Sequence, residues 1–265
     1  NERRKHGFYD SNITKPMAIL IQERNGEPFY TASAFLVDKK LGIFATAKHF
    51  VESIGRDGFV IFFNGRVYNS GVVVTPAISD LALTSAGGIR GFGQSLSFDP
   101  ANFPEPFLLS GGGQLKVGEE VKILGLHPHP EKLQANKVLV GIMRGYYDMF
   151  WEKEEFVFDE LPATVINLAK EVKNRDIQGS PSGFAFISNT YIEIRTTEDH
   201  KFSFGGLSGG PVVNKEGEVI GVVTAGIEGG HIVEGFEIVY EPWNTLYVTP
   251  VEELNNLMTL LLVDD

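Results

Sequence analysis

The chain has 265 residues, 43% of them hydrophobic and 22% charged, which is enough apolar material for one large domain or two small ones sharing a core and excludes disorder. A net charge of -11 excludes an extended nucleic-acid interface, since phosphate binding needs clustered Lys and Arg. The one basic cluster, Arg3-Arg4-Lys5-His6, lies in a polar tail over residues 1–13 and reads as solvated.

No run approaches the length of a membrane-spanning helix, and the opening NERRKHGFYD carries no apolar signal-peptide region. Cysteine is absent, so the fold uses no disulfides. The expectation is a cytoplasmic protein, ahead of a periplasmic or secreted one.

In chain order, short β-branched and aromatic runs alternate with glycine, asparagine and proline, the habit of an all-β barrel or sandwich. Met17 to Gln22 and Pro28 to Val37 read as strands joined at Asn25-Gly26, and Phe59 to Phe63 and Arg66 to Thr75 repeat the device at Asn64-Gly65. Ile43 to Thr46 and Leu81 to Thr84 complete about six strands, enough to close a barrel over residues 14–115, linker included.

Glycine and proline crowd Ser85 to Gly118, which reads as the crossing between two halves. A second strand set follows over residues 116–265: Val121 to Leu124, Lys137 to Met143, Phe184 to Ile187, Tyr191 to Arg195, Val212 to Asn214, Glu218 to Thr224 and Asn244 to Val248. The charged stretch over 145–182 is taken as an insertion with a short helix near Ala163 to Lys173, and as a lid, a substrate-selecting element or an assembly surface on which a protein partner or regulator could dock. Thr249-Pro250-Val251-Glu252 has capping-box spacing with proline at the first helical position. The stripe Val251, Leu254, Leu257, Met258 and Leu261 then predicts a closing helix over 250–262, packed on the second barrel.

Three short stretches carry the chemistry. Phe204-Gly205-Gly206-Leu207-Ser208-Gly209-Gly210-Pro211 bends the backbone around one serine and sends it into a strand. Thr46-Ala47-Lys48-His49 sets a histidine just after a strand, and Asp80 heads the apolar run Leu81-Ala82-Leu83. A buried carboxylate needs a hydrogen-bond partner, and His49 is the one that would satisfy it.

These stretches resemble the three motifs of the trypsin-like, chymotrypsin-fold serine peptidases. T-A-x-H matches Thr46 to His49, D-[IL]-A-[LV] matches Asp80 to Leu83, and G-x-S-G-G-P matches Gly206 to Pro211, in the family's order. Each match alone is weak, whereas three in order are specific. Val117 to Gly125 is similar to the opening strand of the family's second barrel, and the lack of cysteine is similar to the bacterial HtrA/DegP-like group, although no PDZ-like module follows the barrels. The resemblance implies two six-stranded antiparallel β-barrels, a C-terminal α-helix and an insertion in the second barrel.

It also implies a serine endopeptidase acting on polypeptide, with no cofactor and no metal: Ser208 as nucleophile, His49 as base, Asp80 as its orienter, and the amides of Gly206 and Ser208 as oxyanion hole. Substrate would meet Phe202, Phe204, Thr224, Ala225 and Gly226, an uncharged pocket with Phe202 near its base. Leu207 stands where animal trypsins carry the acidic residue that receives their freed N-terminus, which implies a different route to the active state.

Rival readings are a catalytically silent relative serving as a binding, chaperone or scaffold module, and the G-x-S-x-G elbow of α/β-hydrolases, which requires a helix after the serine where Pro211 and a valine hairpin follow. His127 and His129 lack a cysteine or carboxylate at ligand spacing, His231 reads as a turn, and His200 is balanced between cleft and surface loop. Asp38 and Asp57 sit in turns, and Glu152 to Glu155 read as a solvated face.

Overall fold

In the computed structural model, described over residues 15–24, 27–53, 59–63, 66–76, 79–86, 99–111, 115–126, 158–175, 186–200, 206–226, 232–234, 237–239 and 243–262, two barrels stand side by side. The first consists of β1 (Met17–Arg24), β2 (Glu27–Asp38), β3 (Ile43–Ala47), β4 (Phe59–Phe63), β5 (Arg66–Val74) and β6 (Leu81–Ala86). They pair antiparallel in the order β1-β2-β3-β6-β5-β4 and close on themselves. A short helix, α1 (Lys48–Ser53), leaves the end of β3.

The second barrel contains β7 (Glu120–Leu126), β8 (Phe158–Arg175), β9 (Phe186–His200), β10 (Pro211–Val213), β11 (Val219–Gly226) and β14 (Trp243–Pro250). Its closed order is β10-β11-β14-β9-β8-β7. A small ribbon of β12 (Ile232–Glu234) and β13 (Glu237–Val239) lies between β11 and β14 in sequence, and helix α2 (Val251–Leu262) ends the described chain.

Strand alternation sorts the residues into three cores. Along β2, Ala32, Ala34 and Leu36 point into the first barrel with Phe44, Phe63 and Ala82, while Phe35 points the other way. That second face forms a shared core in which Phe35, Ala45, Leu81 and Leu83 of the first barrel meet Leu124, Val213 and Val222 of the second. Strands buried on both faces read as continuous apolar runs, and β3 (IFATA) is buried throughout. The interior of the second barrel is Val121, Ile123, Val165, Ile194, Val212, Val223 and Leu246, with Leu207 among them.

The linker is tied to both halves. Phe103 packs edge-on against Phe44, Phe63 and Tyr68 in the first barrel. Phe107 packs edge-on against Phe35 at 5.8 Å between ring centroids. Leu109 then bridges to Val219 of β11. Each fully buried aromatic of this kind contributes about 1.5–3 kcal/mol through removal of apolar surface from water.

The helix expected near Ala163 to Lys173 is instead β8, an 18-residue strand that pairs with β7 through Thr164 and with β9 out to Arg175. The strands expected at Phe184 to Ile187 and Tyr191 to Arg195 are one strand, β9. Lys137 to Met143, like residues 145–157 and 176–182, lies outside the described residues.

The closing helix begins at Val251, one residue later than expected, with Pro250 ending β14. The Thr249 hydroxyl does not cap it but meets the Thr224 hydroxyl at 3.1 Å. Its stripe also reaches further than the second barrel: Val251, Leu254 and Leu257 bury in the core shared by both barrels.

Candidate active site

His49 and Asp80 are brought together by the pairing of β3 with β6, in which Ala47 lies opposite Leu81. The chain leaves β3 into α1 and enters β6 from Asp80, so the two residues sit at the same barrel edge. Lys48 N–H donates to the Asp80 main-chain carbonyl at 3.1 Å. The Asp80 carboxylate then takes two bonds from one residue: His49 N–H donates to Oδ1 at 2.8 Å, and His49 Nδ1 meets Oδ2 at 2.7 Å.

An ionised carboxylate can only accept, so Nδ1 carries the proton, and in the neutral imidazole the lone pair is then on Nε2. The bond to the His49 main chain keeps the carboxylate from rotating away. His49 remains partly open, with its side chain 36% exposed. Among the described residues no group of three or more His, Asp or Glu could hold a metal ion.

The serine turn is wedged between the barrels. Gly206 and Gly209 have φ of 95° and 83°, a left-handed backbone that favours glycine. A Cβ on Gly209 would come within 2.1 Å of the Ser33 carbonyl oxygen, 2.4 Å of Thr46 Oγ1 and 3.0 Å of the Ala47 amide nitrogen. The residue after Ser208 therefore abuts the end of β3, two positions before His49. A Cβ on Gly210 would reach the Leu124 carbonyl at 2.2 Å, so the same turn is pressed on β7 from the other side.

Hydrogen bonds lock it further. Gly209 N–H donates to Val223 O at 2.7 Å, and Ser33 N–H donates to Ser208 O at 2.9 Å. Gly210 N–H donates to Leu207 O at 2.8 Å. Because a trans peptide sets its N–H opposite its carbonyl, holding Leu207 O inside the turn aims the Ser208 amide outward. Among the described residues neither the Ser208 nor the Gly206 amide has an acceptor.

Leu207 is fully buried in the second barrel's core. The turn is thus anchored by apolar packing at the position where sequence comparison had singled out the missing acid.

Of the expected substrate contacts, Phe202 and Phe204 lie outside the described residues. Thr224 is buried with its hydroxyl on Thr249, so it can offer substrate only its main chain. Ala225 and Gly226 continue β11, opposite Tyr247 and Leu246 of β14. A register shift falls between Val223 and Ala225.

Asp38, the described alternative acid, accepts from Lys40 N–H and Leu41 N–H in its own turn and takes no part in the site. His200 pairs with Trp243 at the end of β9. His127, His129 and His231 lie outside the described residues. Ser33 was not singled out by sequence reasoning, although a lone serine in an otherwise apolar strand run (ASAFLV) is a visible signal.

The family model for the trypsin-like peptidase domain matches residues 32–222, a span that contains all three motif residues. The chain belongs to the trypsin-like peptidase family. No curated protein sequence matches it.

Among solved structures it is similar to the Rv3671c protease from M. tuberculosis in its active form, at 18% identity and a TM-score of 0.55, over 92% of this chain and 79% of that one. The MamO protease domain from Magnetospirillum magneticum matches at 14% identity and a TM-score of 0.53, over 94% and 98% of the two chains. A serine endoprotease from Yersinia pestis matches at 14% identity and 0.55, over 95% of this chain and 64% of that one. At these identities the likeness is one of fold.

Proposed function

We propose that the chain is a serine endopeptidase that hydrolyses peptide bonds through His49, Asp80 and Ser208. The observation that carries this reading is the doubly bonded Asp80–His49 pair, set at the barrel edge against which the serine turn is wedged.

Ser208 Oγ attacks the scissile carbonyl while His49 Nε2 takes its proton, and Asp80 stabilises the imidazolium that results. The negative charge moves to the substrate oxygen, where the outward Ser208 amide and the Gly206 amide stabilise it. One such donor is typically worth about a hundred- to a thousandfold in rate. Collapse expels the amine, which leaves with the proton from His49, and the acyl group stays on Ser208. Water then attacks the ester, giving a proton to His49, and His49 returns it to Ser208 Oγ as the acid leaves.

The substrate is polypeptide laid along the exit of β11, where Ala225 and Gly226 offer main-chain groups. No membrane-crossing helix occurs among the described residues. Cleavage of an unfolded, fluorescently labelled polypeptide by the wild-type chain, and its loss in Ser208→Ala, tests the reading. Equal cleavage by both proteins would overturn it.

A further inference from the structure

We infer that Ser33 is a positioning residue for the oxyanion hole: its hydroxyl pins the Gly206 carbonyl and its amide the Ser208 carbonyl, so that the Leu207–Ser208 peptide held between them keeps the Ser208 amide turned toward substrate. The inference deepens the peptidase reading and rests on it. Ser33 lies in β2 on the face turned toward the second barrel, in step with Phe35, and is fully buried.

Four hydrogen bonds meet at this one residue. Its hydroxyl accepts from Leu126 N–H at 2.7 Å and donates to Gly206 O at 2.6 Å. Its amide donates to Ser208 O at 2.9 Å, and its carbonyl accepts from Thr46 Oγ1 at 2.9 Å.

The polarity of the hydroxyl is settled by its neighbours. An amide can only donate, so Leu126 takes the oxygen's lone pair and the single hydroxyl proton is left for Gly206. Ser33 therefore holds the carbonyls on both sides of Leu207, while Leu207 itself is sunk in the second barrel.

Gly206 needs such a pin more than any other residue would. At a φ of 95° it has no side chain to restrict rotation, and it leads straight into the Leu207–Ser208 peptide whose N–H the reaction requires. Leu126 closes the other side: a Cβ on Gly206 would lie 2.7 Å from the Leu126 carbonyl oxygen. Without the hydroxyl, two buried polar groups lose their partner, the Gly206–Leu207 peptide is free to turn, and the Leu207–Ser208 peptide that follows it loses one of its two anchors. Transition-state stabilisation suffers, whereas the surface that binds the ground state is untouched.

The test compares wild type, Ser33→Ala and Ser33→Cys on a peptide amide substrate. The thiol keeps a weaker donor and acceptor in nearly the same shape. Indirect loosening of one donor should cost about ten- to a hundredfold in kcat for Ser33→Ala, less than outright removal of that donor. KM should stay within about twofold, and Ser33→Cys should fall between. Affinity for a peptide aldehyde, which forms the oxyanion, should fall in parallel with kcat, while affinity for a product-like peptide acid should hold.

A second readout does not need turnover. Labelling glycine carbonyl carbon and leucine nitrogen selects Gly125–Leu126 and Gly206–Leu207, the Gly-Leu pairs of this sequence, and both touch the Ser33 hydroxyl. Both NMR signals should move in Ser33→Ala, and the Gly206–Leu207 signal should broaden. Should Ser33→Ala not fold, the same comparison is made with Ser33→Cys.

Wild-type kcat in Ser33→Ala, or parallel losses in kcat and product-acid affinity, would overturn the inference. A wild-type chain without Ser208-dependent turnover would overturn the peptidase reading instead. The pin is then judged on the two labelled signals, and unchanged signals would overturn it.

Discussion

The Ser33 amide donates a 2.9 Å hydrogen bond to the Ser208 carbonyl, joining β2 of the first barrel to the turn that opens β10 of the second. The motif serine is therefore placed by the contact between barrels, and neither barrel could place it alone. Predictions follow from how that contact, and the histidine beside it, are built.

Asp80→Asn should leave the fold intact, because the amide oxygen can still accept from His49 N–H. The amide nitrogen would then face Nδ1, favouring the tautomer with its proton on Nε2, which cannot serve as a base. Peptidase kcat should fall about ten-thousandfold, with thermal stability close to wild type. Steady-state kinetics beside a melting curve checks both halves.

Gly209→Ala places a methyl 2.1 Å from the Ser33 carbonyl and asks for a positive φ from an alanine. The turn must shift, and a displacement of about 1 Å is enough to cost a hundredfold in rate. Activity should fall at least that far while circular dichroism still reports the barrels.

Leu207→Ala removes a fully buried side chain from the second barrel's core. The cavity should cost about 2–5 kcal/mol, measured by denaturant unfolding. Activity should drop at temperatures where the protein is still folded, since this side chain is what ties the serine turn down.

Thr84 Oγ1 is buried inside the first barrel with no partner among the described residues. Thr84→Val removes an unpaired hydroxyl at nearly constant volume and should stabilise by about 1 kcal/mol. Because Thr84 lies away from the serine turn, kcat should be unchanged.

Tyr247 stacks on Tyr191 with ring centroids 5.6 Å apart. Burial, and secondarily the Glu193 carboxylate, push its hydroxyl above the ordinary value of 10.0. The folded state thus protects the neutral phenol. Its contribution is fully present below pH 10 and is lost as pH rises through the folded pKa. Tyr247→Phe should flatten the alkaline fall in stability, seen by unfolding at a series of pH values.

The three motifs were legible because each is local: a strand edge with its polar residue, spelled in four to six consecutive letters. The first barrel was legible too, since Asn25-Gly26 and Asn64-Gly65 mark its hairpins and its strands are continuous apolar runs. Strand β8 was not. Leu161, Ala163 and Val165 alternate inward as a strand should, but register shifts at Val165/Asn167 and Asn167/Lys170 break the period of two. The apolar letters that follow then fall at helical spacing, so the stretch reads as a helix. Ser33 escaped for another reason: the lone serine of ASAFLV is visible, but the partners that give it importance lie 93 and 173 residues away, where no local pattern points.

Reaction with a fluorophosphonate probe, which phosphonylates only an activated serine, reports most simply on whether Ser208 is an assembled nucleophile. Wild type, Ser208→Ala and His49→Ala are compared after circular dichroism has confirmed that all three fold. Wild type should label stoichiometrically at Ser208, and neither variant should label on the same timescale. A folded wild-type chain that does not label, or a Ser208→Ala variant that labels equally, would contradict it.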